Sequence, residues 1–184
     1  MALLIGRRPF TVAAIILAVA GAALPAFSGA QNSTRITDED QVKAAFLYNF
    51  AKFVQWPASG DKSQPLAVCV FGDDTFGEVL QQMIGGKSVQ GRDVAVRRLR
   101  GEEASRTCHI LFISAGEARH TADLLASADG GAVLTIGETP PFLREGGLVR
   151  FFVEGNRLRF QVNVEGAQHA GLKISSQLLG IAKP

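Results

Sequence analysis

The chain has 184 residues, of which 47% are hydrophobic and 20% charged, with 20 glycines, two cysteines and three histidines. This length suits one domain, and the composition is that of a globular protein, which excludes wholesale disorder. Two cysteines are too few for a zinc ribbon or a disulfide-dense mini-protein. The formal net charge is +2, from 19 Lys and Arg against 17 Asp and Glu.

Residues 1–30 predict a secretory signal peptide. Arg7 and Arg8 form a positive start, and residues 11–24 are an uninterrupted apolar or small run. Ser28 and Ala30 then supply the small residues of a cleavage site. The run is shorter than the roughly 20 residues that a membrane-spanning helix needs. We therefore expect export to the periplasm, cleavage near Ala30, and a mature domain of residues 31–184.

The mature domain is electrically neutral. Removal of Arg7 and Arg8 leaves 17 basic residues against 17 acidic ones. Proteins that bind nucleic acid usually carry a marked excess of basic residues, because most of the affinity comes from phosphate contacts. We therefore predict no nucleic-acid partner.

A long amphipathic helix is predicted from Thr37 to the residue before Pro57. Residues 38–40 are acidic, which favours the positive end of a helix, and a residue that precedes proline is pushed out of the helical region. Four apolar residues recur at spacings of four, four and three, as on one buried stripe: Val42, Phe46, Phe50 and Phe53. Leu47, Val54 and Trp56 widen this stripe.

Short apolar runs and helical segments then alternate along the chain. Strands are predicted at 66–71, around Val94 and Val96 and extending toward Leu99, at 109–114 and at 132–136, with helices at 76–84 and 116–128. Wholly apolar runs of this length are typical of strands that are covered on both faces. The alternation predicts an α/β fold in which helices cover a mostly parallel sheet.

The last third of the chain predicts an antiparallel hairpin at a sheet edge. Strands at 148–153 and 158–164 flank Gly155 and Asn156, a strong turn signal. A helical turn at 167–171 and a short helix at 175–182 follow. Together these elements predict a single domain with a mixed sheet of about six strands.

The two cysteines lie at two different predicted strands. Cys69 is inside the first strand, and Cys108 immediately precedes the third. If these strands are neighbours, the Cα atoms can approach within the 4.4–6.8 Å that a disulfide needs, and export favours the bond. The alternative is a pair of buried thiols that act as small hydrophobic groups. No C-x-x-C motif is present, so oxidoreductase chemistry is not expected.

No motif in the sequence predicts catalysis, a metal site or a cofactor. Ser114 follows a strand but lacks the first glycine of a G-x-S-x-G nucleophile motif. Asp73 and Asp74 follow the first strand, where α/β sheets bind ligands, so they predict either an acidic binding site or an N-cap made by Asp74. We predict that the protein is not an enzyme.

Two aromatic residues are candidates for a partner surface. Tyr48 and Trp56 are eight positions apart, about 80° around the predicted helix. They cannot both be central on one narrow stripe. Either one faces solvent or a partner, as amphipathic aromatic residues do at interfaces, or both cover the edge of the core.

Residues 42–57, VKAAFLYNFAKFVQWP, resemble the opening helix of the YfiR-like family of periplasmic proteins. Four later segments agree with the same family: residues 69–72, 108–114, 146–151 and 156–179. The resemblance implies a Rossmann-like domain that is often dimeric, so a homodimer is among the expected assemblies. Cys69 and Cys108 match a cysteine pair of the family, but the second disulfide that some members carry near Gly146 is missing here.

The resemblance also implies a function. The best understood members bind the periplasmic part of an inner-membrane diguanylate cyclase and hold it inactive, which keeps cyclic-di-GMP low and restrains biofilm formation. We therefore expect a non-enzymatic regulator whose partner is an inner-membrane cyclase or sensor. The alternative is a small-molecule-binding module that feeds a membrane sensor, with its ligand near Asp73, Asp74 and Ser114.

Overall fold

The structure, a computed structural model, describes residues 38–57 and 63–184. The predicted signal peptide and the predicted helix start at Thr37 lie outside these ranges. The helices are α1 (Asp38–Phe53), α2 (Asp74–Ile84), α3 (Thr121–Ala128), α4 (Val164–His169) and α5 (Ser176–Leu179), with 3-10 helices at Glu102–Thr107 and Ala115–His120. The strands are β1 (Val54–Gln55), β2 (Leu66–Phe71), β3 (Ser88–Val89), β4 (Arg92–Leu99), β5 (Ile110–Ile113), β6 (Leu134–Gly137), β7 (Val149–Glu154), β8 (Arg157–Val162) and β9 (Lys173–Ile174).

Seven strands form one mixed sheet in the order β3-β4-β2-β5-β6-β7-β8. The five central strands are parallel, and the two edge strands, β3 and β8, are antiparallel to their neighbours. The predicted single-domain α/β class and the hairpin at the sheet edge are confirmed. Gly155 and Asn156 have φ angles of 55° and 59°, as a tight hairpin turn requires. The two-residue strand β3 was not predicted.

Side chains of the central strands alternate between two hydrophobic clusters. In β2, Leu66, Val68 and Val70 join the larger cluster, which contains residues of α1 and α2. Cys69 and Phe71 point the other way into a smaller cluster with residues of α3. Successive residues of a strand face opposite sides of the sheet, so helices cover both faces of β2. This explains why the strand is apolar throughout.

The buried stripe of α1 overlaps the predicted one but does not include Val42, and Phe46 and Phe53 are partly buried against the core. The buried residues are Ala44, Leu47, Phe50 and Ala51, whereas Val42 is 43% exposed. The predicted continuation of the helix toward Pro57 is also wrong. Residues 54–55 pair instead with β9 as a separate two-stranded sheet, and the Ser175 N–H donates to the Phe53 carbonyl at 3.0 Å. Pairing with a distant strand therefore ends the helix before the proline does.

Several predicted boundaries also differ. The helix predicted at 116–128 is a 3-10 helix followed by α3, and the strand predicted at 132–136 is Leu134–Gly137. The second hairpin strand ends at Val162 and not at residue 164, because the Asn163 side chain accepts from the Gly166 N–H at 2.8 Å and starts α4. That helix replaces the turn predicted at 167–171, and the final helix, predicted at 175–182, spans Ser176–Leu179.

Candidate functional site

The two cysteines form a disulfide that joins β2 to the start of β5. Their Cα atoms are 5.9 Å apart, and β2 and β5 are parallel neighbours, as the prediction of a bond required. Both residues are buried, at 0% and 4% exposure, within the smaller hydrophobic cluster. The bond therefore lies inside the core on the α3 side of the sheet, and the alternative of two free thiols does not apply.

The two adjacent aspartates lie where β2 ends and α2 begins. The Asp73 carboxylate accepts a hydrogen bond from the Phe76 N–H at 3.0 Å and caps α2. The prediction that Asp74 is the cap is wrong, because Asp74 is already the first helical residue. An N-cap side chain satisfies an amide that the helix itself leaves unpaired, so the Asp73 carboxylate has a structural task.

Ser114 lies at the same edge of the sheet, on the neighbouring strand. Its N–H donates to the Phe71 carbonyl at 3.2 Å, and the residue is buried. Gly72, with φ of 103°, lies so close that a Cβ there would collide with the side chains of Ser114 and Glu117. Open α/β sheets bind ligands at the point where strand order reverses, here between β2 and β5. In this chain the side chains of Ser114 and Glu117 pack into the crevice between β2 and β5.

A half-buried ion pair secures α1 to this edge of the sheet. The Lys43 ammonium lies 2.5 Å from Glu138, which follows β6, and 2.9 Å from Glu39. The other oxygen of Glu138 accepts from the Ala115 N–H at 3.0 Å. Burial by itself would lower the pKa of Lys43, but its hydrogen bonds to Glu138 and Glu39 and their negative charges raise that pKa above its ordinary value. The i,i+4 spacing of Glu39 and Lys43 was the only signal of this site in the sequence.

The opposite end of the sheet carries Trp56 and His109. The Trp56 indole N–H donates to the His109 carbonyl at 3.2 Å, and the two rings pack edge to face at 5.9 Å. Beside them a cleft of about 390 Å³ is lined by Arg92, Arg106 and Cys108 among others. Trp56 therefore helps hold the segment after α1 against the start of β5, on the rim of this cleft.

His109 is surrounded by hydrogen-bond donors. The Ala67 N–H donates to Nδ1 at 3.1 Å, and an Arg92 Nη2 lies 2.9 Å from Nε2. Protonation would place a hydrogen on both ring nitrogens, and each of these hydrogens would then face another hydrogen-bond donor. This arrangement disfavours the charged form of the ring. Burial, followed by the charges of Arg92 and Arg97, lowers the pKa of His109 to about 4. No motif in the sequence predicts this contact, which joins residues far apart in the chain.

The neutral state of His109 predicts a loss of stability in mild acid. The unfolded imidazole, with a pKa near 6.5, takes up a proton well before the folded one does. The free energy of unfolding should therefore fall as pH drops from about 6.5 to about 4, by about 2 kcal/mol after allowance for solvent at the half-buried ring. Urea unfolding across this range measures the change, and His109→Gln should abolish most of it.

His120 provides the matched control for this pH dependence. It is partly exposed and lies 3.7 Å from Glu117. His120→Gln should leave the pH profile close to that of the wild type. A profile that is unchanged by His109→Gln, or an NMR titration of His109 with a midpoint above pH 6, would contradict the assignment.

Tyr48 and Trp56 both pack against the larger hydrophobic cluster. The Tyr48 ring lies between two lysine ammonium groups, Lys52 at 5.5 Å and Lys87 at 5.1 Å from its centroid. Trp56 lies beyond the end of α1, so the predicted angle between the two residues around one helix does not apply. Both residues cover the edge of the core, which was the second of the two arrangements predicted for them.

Within residues 38–57 and 63–184, no three His, Cys, Asp or Glu side chains are placed to hold a metal ion. Among the helices of those same ranges, none has the length and hydrophobicity to cross a bilayer.

One sequence comparison bears on identity. The pattern that defines the YfiR/HmsC-like family matches residues 40–183, from the first turn of α1 almost to the C-terminus. The chain belongs to the YfiR/HmsC-like family. The resemblance noted in the sequence is thereby confirmed over nearly the whole folded domain. The YfiR/HmsC-like proteins are periplasmic, and they are regulators rather than enzymes.

Proposed function

We propose that this protein is a periplasmic regulator that binds an inner-membrane diguanylate cyclase and holds it inactive. The observation that carries the proposal is the family match over residues 40–183, and the export signal predicted from residues 1–30 agrees with it. At the predicted ligand site, Asp73 caps a helix and Ser114 packs against Gly72, so both residues have structural roles. These roles support a function that does not depend on a ligand at that site. A protein of this kind acts through its surface.

Binding alone is sufficient for such regulation. A regulator that prefers the inactive conformation of its partner shifts the partner's equilibrium without any chemistry. A shift from about 1:99 to 99:1 needs about 5.5 kcal/mol of differential affinity, which one well-packed interface can provide. The proposal therefore requires two states of the cyclase and tighter binding to one of them.

The test is capture of the partner combined with a measurement of the signal. The tagged full-length protein, exported by its own leader, should co-purify with a membrane diguanylate cyclase after cross-linking of intact cells. Deletion of the gene should raise the cellular concentration of cyclic-di-GMP severalfold. Expression of the gene from a plasmid should return that concentration to the wild-type level. Recovery of no cyclase, together with unchanged cyclic-di-GMP, would refute the proposal.

The alternative of a small-molecule-binding module has weaker support. Glu117 and Ser114 pack against Gly72 in the crevice between β2 and β5. A cleft of about 290 Å³ remains there, lined by Glu117 and by Asp73, Arg98 and Arg100 at the ends of β2 and β4. A thermal-shift screen of anionic and zwitterionic metabolites separates the two functions, since a ligand at 100 times its Kd adds about 2.7 kcal/mol of stability.

A further inference from the structure

One face of the β7–β8 hairpin carries charged side chains, whereas both faces of β2 and β5 are packed in the hydrophobic core. Residues directly opposite each other in the register are Arg150 and Gln161, Phe152 and Arg159, and Glu154 and Arg157. Their alternate neighbours, Phe151 and Phe160, face α1 in the larger hydrophobic cluster. The opposite face, which we call the arginine face, therefore carries the side chains of Arg150, Phe152, Glu154, Arg157, Arg159 and Gln161.

Phe152 at the centre of this face belongs to neither hydrophobic cluster of the described residues. The Arg150 guanidinium lies over its ring at 5.0 Å from the centroid, and Arg159 is its cross-strand partner. A half-buried aromatic ring flanked by two arginines resembles the anchor of a protein interface more than a piece of core. Aromatic residues and arginine are the side chains most enriched at the energetic centres of such interfaces.

The arginine face also contains hydrogen-bond donors that lack acceptors. The Nε atoms of Arg150 and Arg159 are buried and have no hydrogen-bond partner among the described residues. Arg150 is held in place by its two terminal nitrogens: Nη2 donates to the Gln161 side chain at 2.9 Å, and Nη1 donates to the Pro140 carbonyl at 3.5 Å. A buried donor without an acceptor is costly, so native structures rarely keep one unless something else supplies the acceptor.

The charge around these donors specifies the chemistry of that acceptor. Arg150, Arg157 and Arg159 share this face with one carboxylate side chain, Glu154, which lies 2.9 Å from the Lys183 ammonium, and with a Pro184 oxygen that accepts from Gln161 at 2.8 Å. The hydrogen bond from Lys183 and its charge, with a further contribution from Arg159, lower the pKa of Glu154. Planar guanidinium groups bind carboxylates through two parallel hydrogen bonds, which lysine cannot do. The face is therefore complementary to aspartate or glutamate side chains.

We propose that the arginine face docks an acidic segment of the membrane-anchored partner, with carboxylates on Arg150 and Arg159 and an apolar side chain on Phe152. This inference rests on the proposed function for the choice of partner. Its chemistry, an acidic peptide recognised by two arginines around one phenyl ring, does not depend on that function. Carboxylates would pair with the positive charges of the Arg150 and Arg159 guanidinium groups, and docking would shield the ring from water.

A direct binding measurement tests the chemistry. The probe is a fluorescent octapeptide of alternating Glu and Val, compared with its Gln and Val counterpart, and binding to the mature protein is followed by anisotropy. We expect the acidic peptide to bind at least tenfold more tightly and to weaken as salt is added. Arg159→Gln should reduce its affinity about tenfold or more. Arg159→Lys, which keeps the charge but lacks the Nε–H, should lose most of the same affinity.

The matched control is Arg119→Gln, which removes the same charge from an exposed position on the 3-10 helix after β5 and should change little. Circular dichroism and urea unfolding verify that each variant is folded. Equal binding of the acidic and neutral peptides, or equal affinity of wild type and Arg159→Gln, overturns the proposal. So does a change in oligomeric state in Arg159→Gln, which would make the face a contact between copies of this chain.

Capture from cells separates this proposal from the one on which it rests. If the wild-type protein recovers the cyclase and Arg150→Gln/Arg159→Gln recovers it tenfold less well, both proposals are supported. If the double variant recovers it equally well, the arginine face is wrong and the regulatory function stands. If the wild type recovers no cyclase but binds the acidic peptide, the regulatory function fails while the binding chemistry of the face is retained.

Discussion

Replacement of Phe50 by alanine should destabilise the domain by about 4 kcal/mol, within the 3–5 kcal/mol usual for a buried phenylalanine. Phe50 is 0% exposed on the inner side of α1. Its ring stacks on Phe151 at 5.9 Å and meets Phe160 edge to face at 5.2 Å. The variant loses this burial and leaves a cavity between α1 and the hairpin, which rigid strands can close only partly.

The measurement is urea unfolding followed by far-UV circular dichroism, with the same m-value expected for both proteins. Val42→Ala is the matched control on the same helix, because Val42 was predicted to be part of the same stripe but is 43% exposed. It should change the free energy of unfolding by less than about 0.5 kcal/mol. Similar losses for the two variants would show that the buried face of α1 is misplaced.

The contrast between these two residues shows what the sequence could specify about α1. The spacing of Val42, Phe46 and Phe50 established that the segment is an amphipathic helix. It did not fix the limits of the buried side, since Val42 is exposed, whereas Ala44 and Ala51 carry little hydrophobic signal yet lie at 0% exposure. The residue at which the helix ends could not be predicted from the neighbouring sequence either. It depends on pairing with β9, more than a hundred residues later in the chain.

The sheet was more predictable because its signals are local. A strand covered on both faces is apolar throughout, and β2 was predicted with its observed bounds, Leu66–Phe71. The hairpin followed from Gly155 and Asn156, because few residue pairs adopt two successive positive φ angles. The two-residue strands β1, β3 and β9 have no such pattern, since their pairing depends on where the larger elements place them.

Some of the sites could likewise be predicted from the sequence, and others could not. The disulfide was predictable, because two cysteines at neighbouring strands allow one pairing. His109 contacts Trp56, Ala67 and Arg92, and no sequence motif predicts that these residues lie together. The arginine face was hidden for a related reason. Its residues alternate with buried ones along both hairpin strands, so the pattern in the sequence is that of an ordinary edge hairpin.

Loss of the disulfide should cost about as much as the loss of Phe50. Cys69 and Cys108 are 39 residues apart, and closing a loop of that length restricts the unfolded chain by about 4 kcal/mol in the chain-entropy model. Cys69→Ala/Cys108→Ala should therefore lower the free energy of unfolding by about 4 kcal/mol, chiefly through the unfolded state. The bond joins two central strands in the smaller cluster, so the variant also loses some packing.

Reductant supplies the control that the substitution alone cannot. Wild-type protein that is unfolded and refolded in dithiothreitol should match the double variant, and dithiothreitol should leave the variant unchanged. Because the two cysteines are 0% and 4% exposed, the native bond should be reduced no faster than the protein opens. Rapid reduction under native conditions would contradict the buried position of the bond. Equal stability of the oxidised and fully reduced wild type would show that the cross-link does not restrict the unfolded chain.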